Sequence, residues 1–213
     1  MEKNTFFNLE LKEGKIDELK YIYGKLQKDF APDELKKLTH LELLMSENKY
    51  RLLLAQDKTI NKTVGYAFVY EITEPKTLWL DYMVIESKFQ SAGYGSVLYE
   101  KIAGFYPGIL GVFSEVEIPD PTDVTYTNQL RRIRFYERLG AKRLSFDYRL
   151  PTYDGGLPMY LYFRASAPVN HLTGQEIKEA VNSAFEYIHS DIRHREKIRE
   201  ECFKSIPDLV WLK

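Results

Sequence analysis

The sequence predicts an α/β chain: a mixed, mostly antiparallel central sheet with helices on both faces, followed by a C-terminal helical extension. Three observations carry that prediction. Runs rich in Val, Leu, Tyr and Phe alternate with segments whose apolar residues recur at helical spacing. Three strand-like runs succeed one another with only short polar turns between them, as antiparallel neighbours do. After about Ala165 the strand pattern stops and helical periodicity takes over.

The elements come in order along the chain. Ile16, Leu19, Ile22, Tyr23 and Leu26 give residues 16–30 a helical stripe. Pro32 predicts the start of a second helix carrying Leu35, Leu38, Leu41 and Leu44. Tyr50–Gln56 is a short apolar strand. The polar turn Asp57–Lys62 links it to Val64–Ile72 as a hairpin, and Thr77–Ile85 is a third strand. The glycine-bearing loop Gln90–Gly95 leads into a helix over Ser96–Tyr106, stopped by Pro107-Gly108. Gly111–Ile118 is a further strand. The polar connection Pro119–Thr127 then reaches a helix over Gln129–Leu139 that Gly140 closes. Two more strand-like runs lie near Arg143–Leu150 and Met159–Arg164. In the extension, residues 166–213, Thr173 and Glu176 form a capping-box pattern. The helix it opens carries Ile177, Val181, Ala184, Phe185 and Ile188 inward. The charge run Asp191–Glu201 reads as its solvated continuation, and Leu209–Leu212 as an apolar tail. The extension reads as a helix packed on the domain; the alternative is a homodimer arm or a lid over a substrate pocket.

Length and charge bound the function. The 213 residues suffice for one domain with an appendage. Lys+Arg totals 30 against 31 Asp+Glu, and this balance argues against nucleic acid as an obligatory partner, which needs a basic excess. The single cysteine, Cys202, excludes a disulfide framework and a cysteine-ligated zinc site, and reads as a small buried apolar residue. His189 and His194 are five apart, not the three or four that pair two ligands on a helix; with His40 and His171 they read as surface residues, and no metal is expected. No apolar run comes after Met1-Glu2-Lys3-Asn4, and no stretch approaches the roughly 20 apolar residues of a membrane span, so a cytoplasmic protein without membrane partners is expected.

The most informative segment is Met83-Val84-Ile85-Glu86-Ser87-Lys88-Phe89-Gln90-Ser91-Ala92-Gly93-Tyr94-Gly95-Ser96. A strand enters a loop with two glycines one residue apart, and a helix begins at once. The unpaired N–H groups at that helix start, at the positive end of its dipole, form an anion cradle suited to a pyrophosphate. No Gly-Lys-Ser/Thr comes next, so it is not a P-loop, and it lacks the third glycine of the dinucleotide fingerprint. The competing reading is a connection that merely needs small residues.

Gln90-Ser91-Ala92-Gly93-Tyr94-Gly95 resembles the Gln/Arg-x-x-Gly-x-Gly/Ala loop of the GCN5-related N-acetyltransferase (GNAT) superfamily. Arg134-Phe135-Tyr136-Glu137-Arg138-Leu139-Gly140-Ala141 is similar to that family's Phe-Tyr-x-x-x-Gly-Phe helix end, with Ala141 in place of the aromatic. The resemblance covers roughly residues 16–164. It implies the acyl-CoA N-acyltransferase fold over residues 1–165. It also implies acetyl-CoA as cofactor, and transfer of its acetyl group to a primary amine by direct attack. Amides of Gln90, Ser91, Ala92, Gly93, Tyr94, Gly95 and Ser96 would hold the pyrophosphate. The backbone of Met83, Val84 and Ile85 would pair with the pantetheine arm. The family's asparagine place is Gln129, and Asn128, one residue earlier, is the candidate contact. Tyr136 falls where the family often has the proton donor to the leaving thiolate.

The base is sought in the residues themselves. An alkylammonium of pKa about 10 must lose a proton before attack. On Gly111–Ile118, Phe113, Glu115 and Glu117 share one face, and two carboxylates there would raise one pKa by mutual repulsion. An ion pair with Arg131, Arg132 or Arg134 is the competing reading. Asp81, on one face with Trp79, is a third candidate. The acceptor pocket is expected from Ala31–Ser46, Pro119–Thr127 and the strands near Tyr148–Tyr160, which carry Asp120, Asp123, Asp147 and Asp154. That predicts a cationic small-molecule or peptide amine. A module that binds acyl-CoA without catalysis is the alternative.

Overall fold

The structure, a computed structural model, describes residues 7–212. In chain order the elements are β1 (Leu9–Glu13), α1 (Ile16–Asp29), α2 (Leu38–Ser46), β2 (Tyr50–Asp57), β3 (Lys62–Ile72) and β4 (Thr77–Ile85). A 3₁₀ turn at Ser87–Phe89 precedes α3 (Tyr94–Phe105), β5 (Gly111–Glu117) and α4 (Tyr126–Arg138). Then come β6 (Lys142–Arg143), β7 (Tyr148–Thr152), β8 (Gly155–Ala165), β9 (His171–Thr173), α5 (Gly174–Tyr187), α6 (Arg195–Ser205) and β10 (Leu209–Trp211).

The main sheet runs β1-β2-β3-β4-β5-β8, with β6 and β7 both pairing along the far side of β8. Every pair is antiparallel except β4–β5. Side chains alternate between two cores, one on each face. One is built from Leu19, Ile22 and Leu26 of α1, Leu41 and Leu44 of α2, and the extension's Ile177, Val181, Phe185, Ile198 and Cys202. The other packs Leu98, Tyr99 and Ile102 of α3 and Tyr136 of α4 on the opposite face. This is the mixed sheet with helices on both faces that the sequence predicts, and Thr77–Ile85 agrees residue for residue.

Several elements differ from expectation for physical reasons. The edge strand β1 escapes pattern reading because only its first residue, Leu9, is fully buried. The second helix starts at Leu38, not near Pro32. The backbone before it is bonded elsewhere: the Lys36 N–H donates to the Tyr82 hydroxyl (3.0 Å), which donates to the Glu34 carbonyl (2.9 Å). The run expected at 143–150 is two strands, and the apolar tail is β10, paired with β9. The Thr173–Glu176 capping box is present, with the Glu176 N–H donating to Thr173 Oγ1 (3.1 Å) and Thr173 N–H to the Glu176 carboxylate (2.8 Å). The charge run does not continue α5. The chain turns at 188–194, burying Ile188 and Ile192, so that α6 can return Ile198 and Cys202 to the same core. His40 and His189 are buried, not on the surface; His40 Nε2 lies 3.1 Å from the Ile188 carbonyl and 3.2 Å from Asp191. Cys202 is fully buried on α6. Among the described residues no helix is long and apolar enough to cross a membrane, and no group of three His, Cys, Asp or Glu side chains could hold a metal ion.

Candidate active site

The site begins with a fork in the sheet. β4 and β5 pair over only three positions, Leu78 with Val112, Trp79 with Phe113 and Leu80 with Ser114, and then separate. The separation coincides with a bulge. On β3, Phe68 faces Tyr82 while the next residue, Val69, faces Leu80, which leaves Asp81 as the extra residue of β4. An inserted residue bends its strand and re-aims the side chains beyond it. Past the bulge, Tyr82 and Val84 point to the α1–α2 core, and Met83 and Ile85 to the α3–α4 side. Two cavities flank the fork and share Met83, Ile85, Gln90, Arg132 and Tyr136 in their walls.

The cavity of about 450 Å³ is lined by the glycine loop and α4. Ser91 and Gly93 take positive φ, +62° and +99°. At Gly93 this is the left-handed N-cap of α3, a conformation that favours glycine. Among the described residues the backbone N–H groups of 91–95 make no hydrogen bond. Such a row at a helix start, on an open cavity, is suited to an anion. Its opposite wall is Asn128, Arg131, Arg132, Phe135 and Arg138. Gln90 braces the loop by donating Nε2 to the Ile85 carbonyl (3.0 Å).

The cavity of about 250 Å³ is lined by Asp29, Glu34, Asp81, Glu115 and Glu117, with Arg132 as its basic group. Glu115 sits where the strands part. Trp79 Nε1–H donates to one carboxylate oxygen (3.2 Å) and the Tyr148 hydroxyl to the other. Burial is the chief cause that lifts its pKa to about 7; the Asp81 charge adds to the rise, and Lys36 and the two donors oppose it. Glu117 pairs with Arg132 at the boundary of the two cavities. Glu34 is pushed upward by burial and then by the charges of Glu117 and Asp33, and Asp29 by burial and then Glu86. Tyr136 is buried in the shared wall, and burial holds its phenol well above the ordinary tyrosine value, so it stays a proton donor at neutral pH.

Residues 17–141 match the Acetyltransferase (GNAT) family. The chain belongs to that family. The chain is 27% identical over 173 residues to "Putative acetyltransferase YjbC" of Bacillus subtilis (strain 168), covering 79% of this chain and 81% of that one. Among solved structures, a GNAT-family protein of Bacteroides thetaiotaomicron superposes with a TM-score of 0.62 at 20% identity, over 87% of this chain and 96% of that one. A spermidine N-acetyltransferase of Vibrio cholerae, solved with CoA and spermine, superposes with a TM-score of 0.54 at 14% identity, over 73% and 93%. These two likenesses speak to the fold.

Within this fold the sequence-predicted residues divide. Met83, Ile85, Gln90, Ser91, Gly93, Gly95, Ser96, Asn128 and Tyr136 line the larger cavity, and Val84, Glu115 and Glu117 line the smaller. Ala92 lines neither. The Tyr94 ring turns into the core, its hydroxyl donating to Asp57 (2.7 Å). Gln129 is engaged structurally: Oε1 accepts from the Asp120 N–H (2.8 Å) and Nε2 donates to Thr125 (3.2 Å). The aspartates expected in an acceptor pocket line neither cavity. Asp120 and Asp123 are turn residues accepting from Thr122 and Thr125, and Asp147 and Asp154 are exposed. Asp29 and Glu34 line the smaller cavity instead. No motif marks either residue; the one signal is that Glu34 falls within Ala31–Ser46, a stretch expected to wall the acceptor pocket.

Proposed function

We propose that this protein is an acetyl-CoA-dependent N-acetyltransferase whose acceptor is a small amine carrying at least one further positive charge. The observation that carries this reading is the fork. On one side it joins a row of unbonded backbone amides, and on the other a half-buried carboxylate poised near neutrality, with a protonated tyrosine in the wall between. The amides of 91–95, which bond to no described residue, suit a diphosphate, and the edge of β4 beyond Leu80, where it no longer pairs with β5, suits an extended amide-bearing arm added as a strand. Acetyl-CoA has both, and it supplies the acetyl group as an activated thioester.

Glu115 receives the proton of the incoming ammonium, directly or through a water, and so frees the nitrogen lone pair. Its pKa of about 7 matches working pH, where a base is most effective. The amine nitrogen bonds to the thioester carbonyl carbon and the carbon–sulfur bond breaks. Tyr136 gives its proton to the departing sulfur and regains one, through water, from the nitrogen, which sheds its second proton as the amide forms; Glu115 passes the ammonium proton on to solvent. No covalent bond to the enzyme forms, so holding both partners at the fork is the larger part of catalysis. Asp29, Glu34 and Glu117 make the acceptor side acidic, which attracts a cation and repels an anionic competitor.

The test is release of free CoA thiol from acetyl-CoA across a panel of mono-, di- and polyamines and peptide amines. Turnover is expected with di- and polyamines, and none with amino acids bearing a free carboxylate. CoA binding with no thiol release from any amine would overturn the catalytic reading in favour of an acyl-CoA-binding module.

A further inference from the structure

Lys36 lies on the 30–37 connection, and its side chain is 7% exposed. Burying an ammonium without a partner is very unfavourable, so its placement needs a reason. Its Nζ is 2.8 Å from Asp81 Oδ1, and the Asp81 side chain is itself 3% exposed. The Tyr50 hydroxyl donates to the other Asp81 oxygen. The connection is tied down a second time through Tyr82, which accepts from Lys36 N–H and donates to the Glu34 carbonyl. The partner of Lys36 is therefore the bulge residue at which β4 leaves β5, and on the same connection Phe30 and Glu34 form the acceptor wall.

We infer that Lys36 is a positioning residue: locked onto Asp81, it fixes the acceptor wall to the fork and sets the proton affinity of Glu115 by neutralising the aspartate beside it. The inference rests on the acetyltransfer reading for its role in turnover, but not for its charge coupling. The groups facing Glu115 are Trp79 and Asp81 from β4, Tyr148 from β7 and Lys36 from the loop. Of these only Asp81 and Lys36 carry charge, and they act in opposite directions. Arg132, the cation that lines the cavity, is held by Glu117. Lys36 itself stays charged: burial works against the ammonium, but the Asp81 charge and hydrogen bond, with Tyr82 and Glu115, together outweigh it.

The experiment is a carbon-13 carboxyl titration of protein labelled at glutamate, with the Glu115 signal assigned by its loss in Glu115→Gln. In Lys36→Met the Glu115 midpoint should rise by about one unit or more, the effect of losing a nearby opposite charge. In Asp81→Asn it should fall. In the double variant, which removes the buried pair as a pair, it should return close to the wild-type value. Should Lys36→Met not fold, Asp81→Asn and the double variant decide. A midpoint that stays put in the single variants would overturn the inference. With a turned-over amine, the acid limb of the rate profile should move with the midpoint and the acceptor KM should rise in Lys36→Met, while CoA affinity holds. A wild type that acetylates nothing but shows these shifts would count against the proposed activity and leave the charge coupling standing.

Discussion

The two cavities at the fork are built from different materials. The larger cavity is main chain: amides of 91–95 that bond to no described residue, in a turn whose shape depends on Gly93, backed by arginines of α4. The smaller cavity, the proposed acceptor side, is side chain: five carboxylates drawn from α1, the 30–37 connection, β4 and β5. A backbone site tolerates many side chains and demands a conformation. A side-chain site demands particular groups and inherits their titration. The first should therefore be insensitive to pH and sensitive to backbone strain, and the second the reverse.

Breaking the acceptor side at its centre should give the largest effect. Glu115→Gln is expected to lower kcat by about 10²-fold or more, the usual contribution of a positioned base. It should also abolish the rise in rate through about pH 7 and leave CoA affinity within a factor of about two by calorimetry. Tyr136→Phe, in the shared wall, should lower kcat by roughly tenfold to 10²-fold, with its deficit growing for thioesters of poorer leaving thiols. Gly93→Ala tests the other side. Forcing a Cβ into φ +99° opposes the turn by about 1–2 kcal/mol, so CoA affinity should weaken about tenfold at every pH, with acceptor KM unaltered. Glu34→Gln is the mildest, a few-fold rise in acceptor KM that shrinks in high salt.

The Glu115 shift also predicts stability. Its folded pKa is raised from the usual 4.5 to about 7, so the protonated form favours the fold. That contribution is complete below pH 4.5 and fades as pH rises through 7, because the unfolded chain then releases its proton first. Glu115→Gln should therefore melt a few degrees higher than wild type at pH 8 and no higher at pH 4. Equal melting shifts at both pH values would place the carboxylate in solvent and dissolve the contrast between the two cavities.

Legibility in the sequence divides along the same line. The glycine loop can be read because backbone requirements leave a local trace in residue type, and so can the strand before it and the Thr173–Glu176 cap. Glu115 can be read because strand alternation fixes its face. The place of Asp29 and Glu34 in the cavity wall cannot, since Glu34 reaches the cavity only through a connection whose path is set by Tyr82, 48 residues away in the chain. The same long-range tie delays α2 to Leu38. The burial of His40 and His189 escapes reading because it depends on the turn at 188–194, which a charge run conceals. The bulge at Asp81 has no sequence mark at all. It exists only in the register between β3 and β4.

The short ribbon of β9 and β10 pairs Leu172 with Val210, and the Gly174 N–H donates to the Asp208 carbonyl at 2.6 Å. The two ends of the α5–α6 unit are thus stapled to each other. Such a unit cannot swing aside on one hinge; it leaves as a whole or stays. Cys202 lies on the inner face of α6, so the rate at which a thiol reagent consumes that cysteine is a clock for the lifting of this clasp from the sheet.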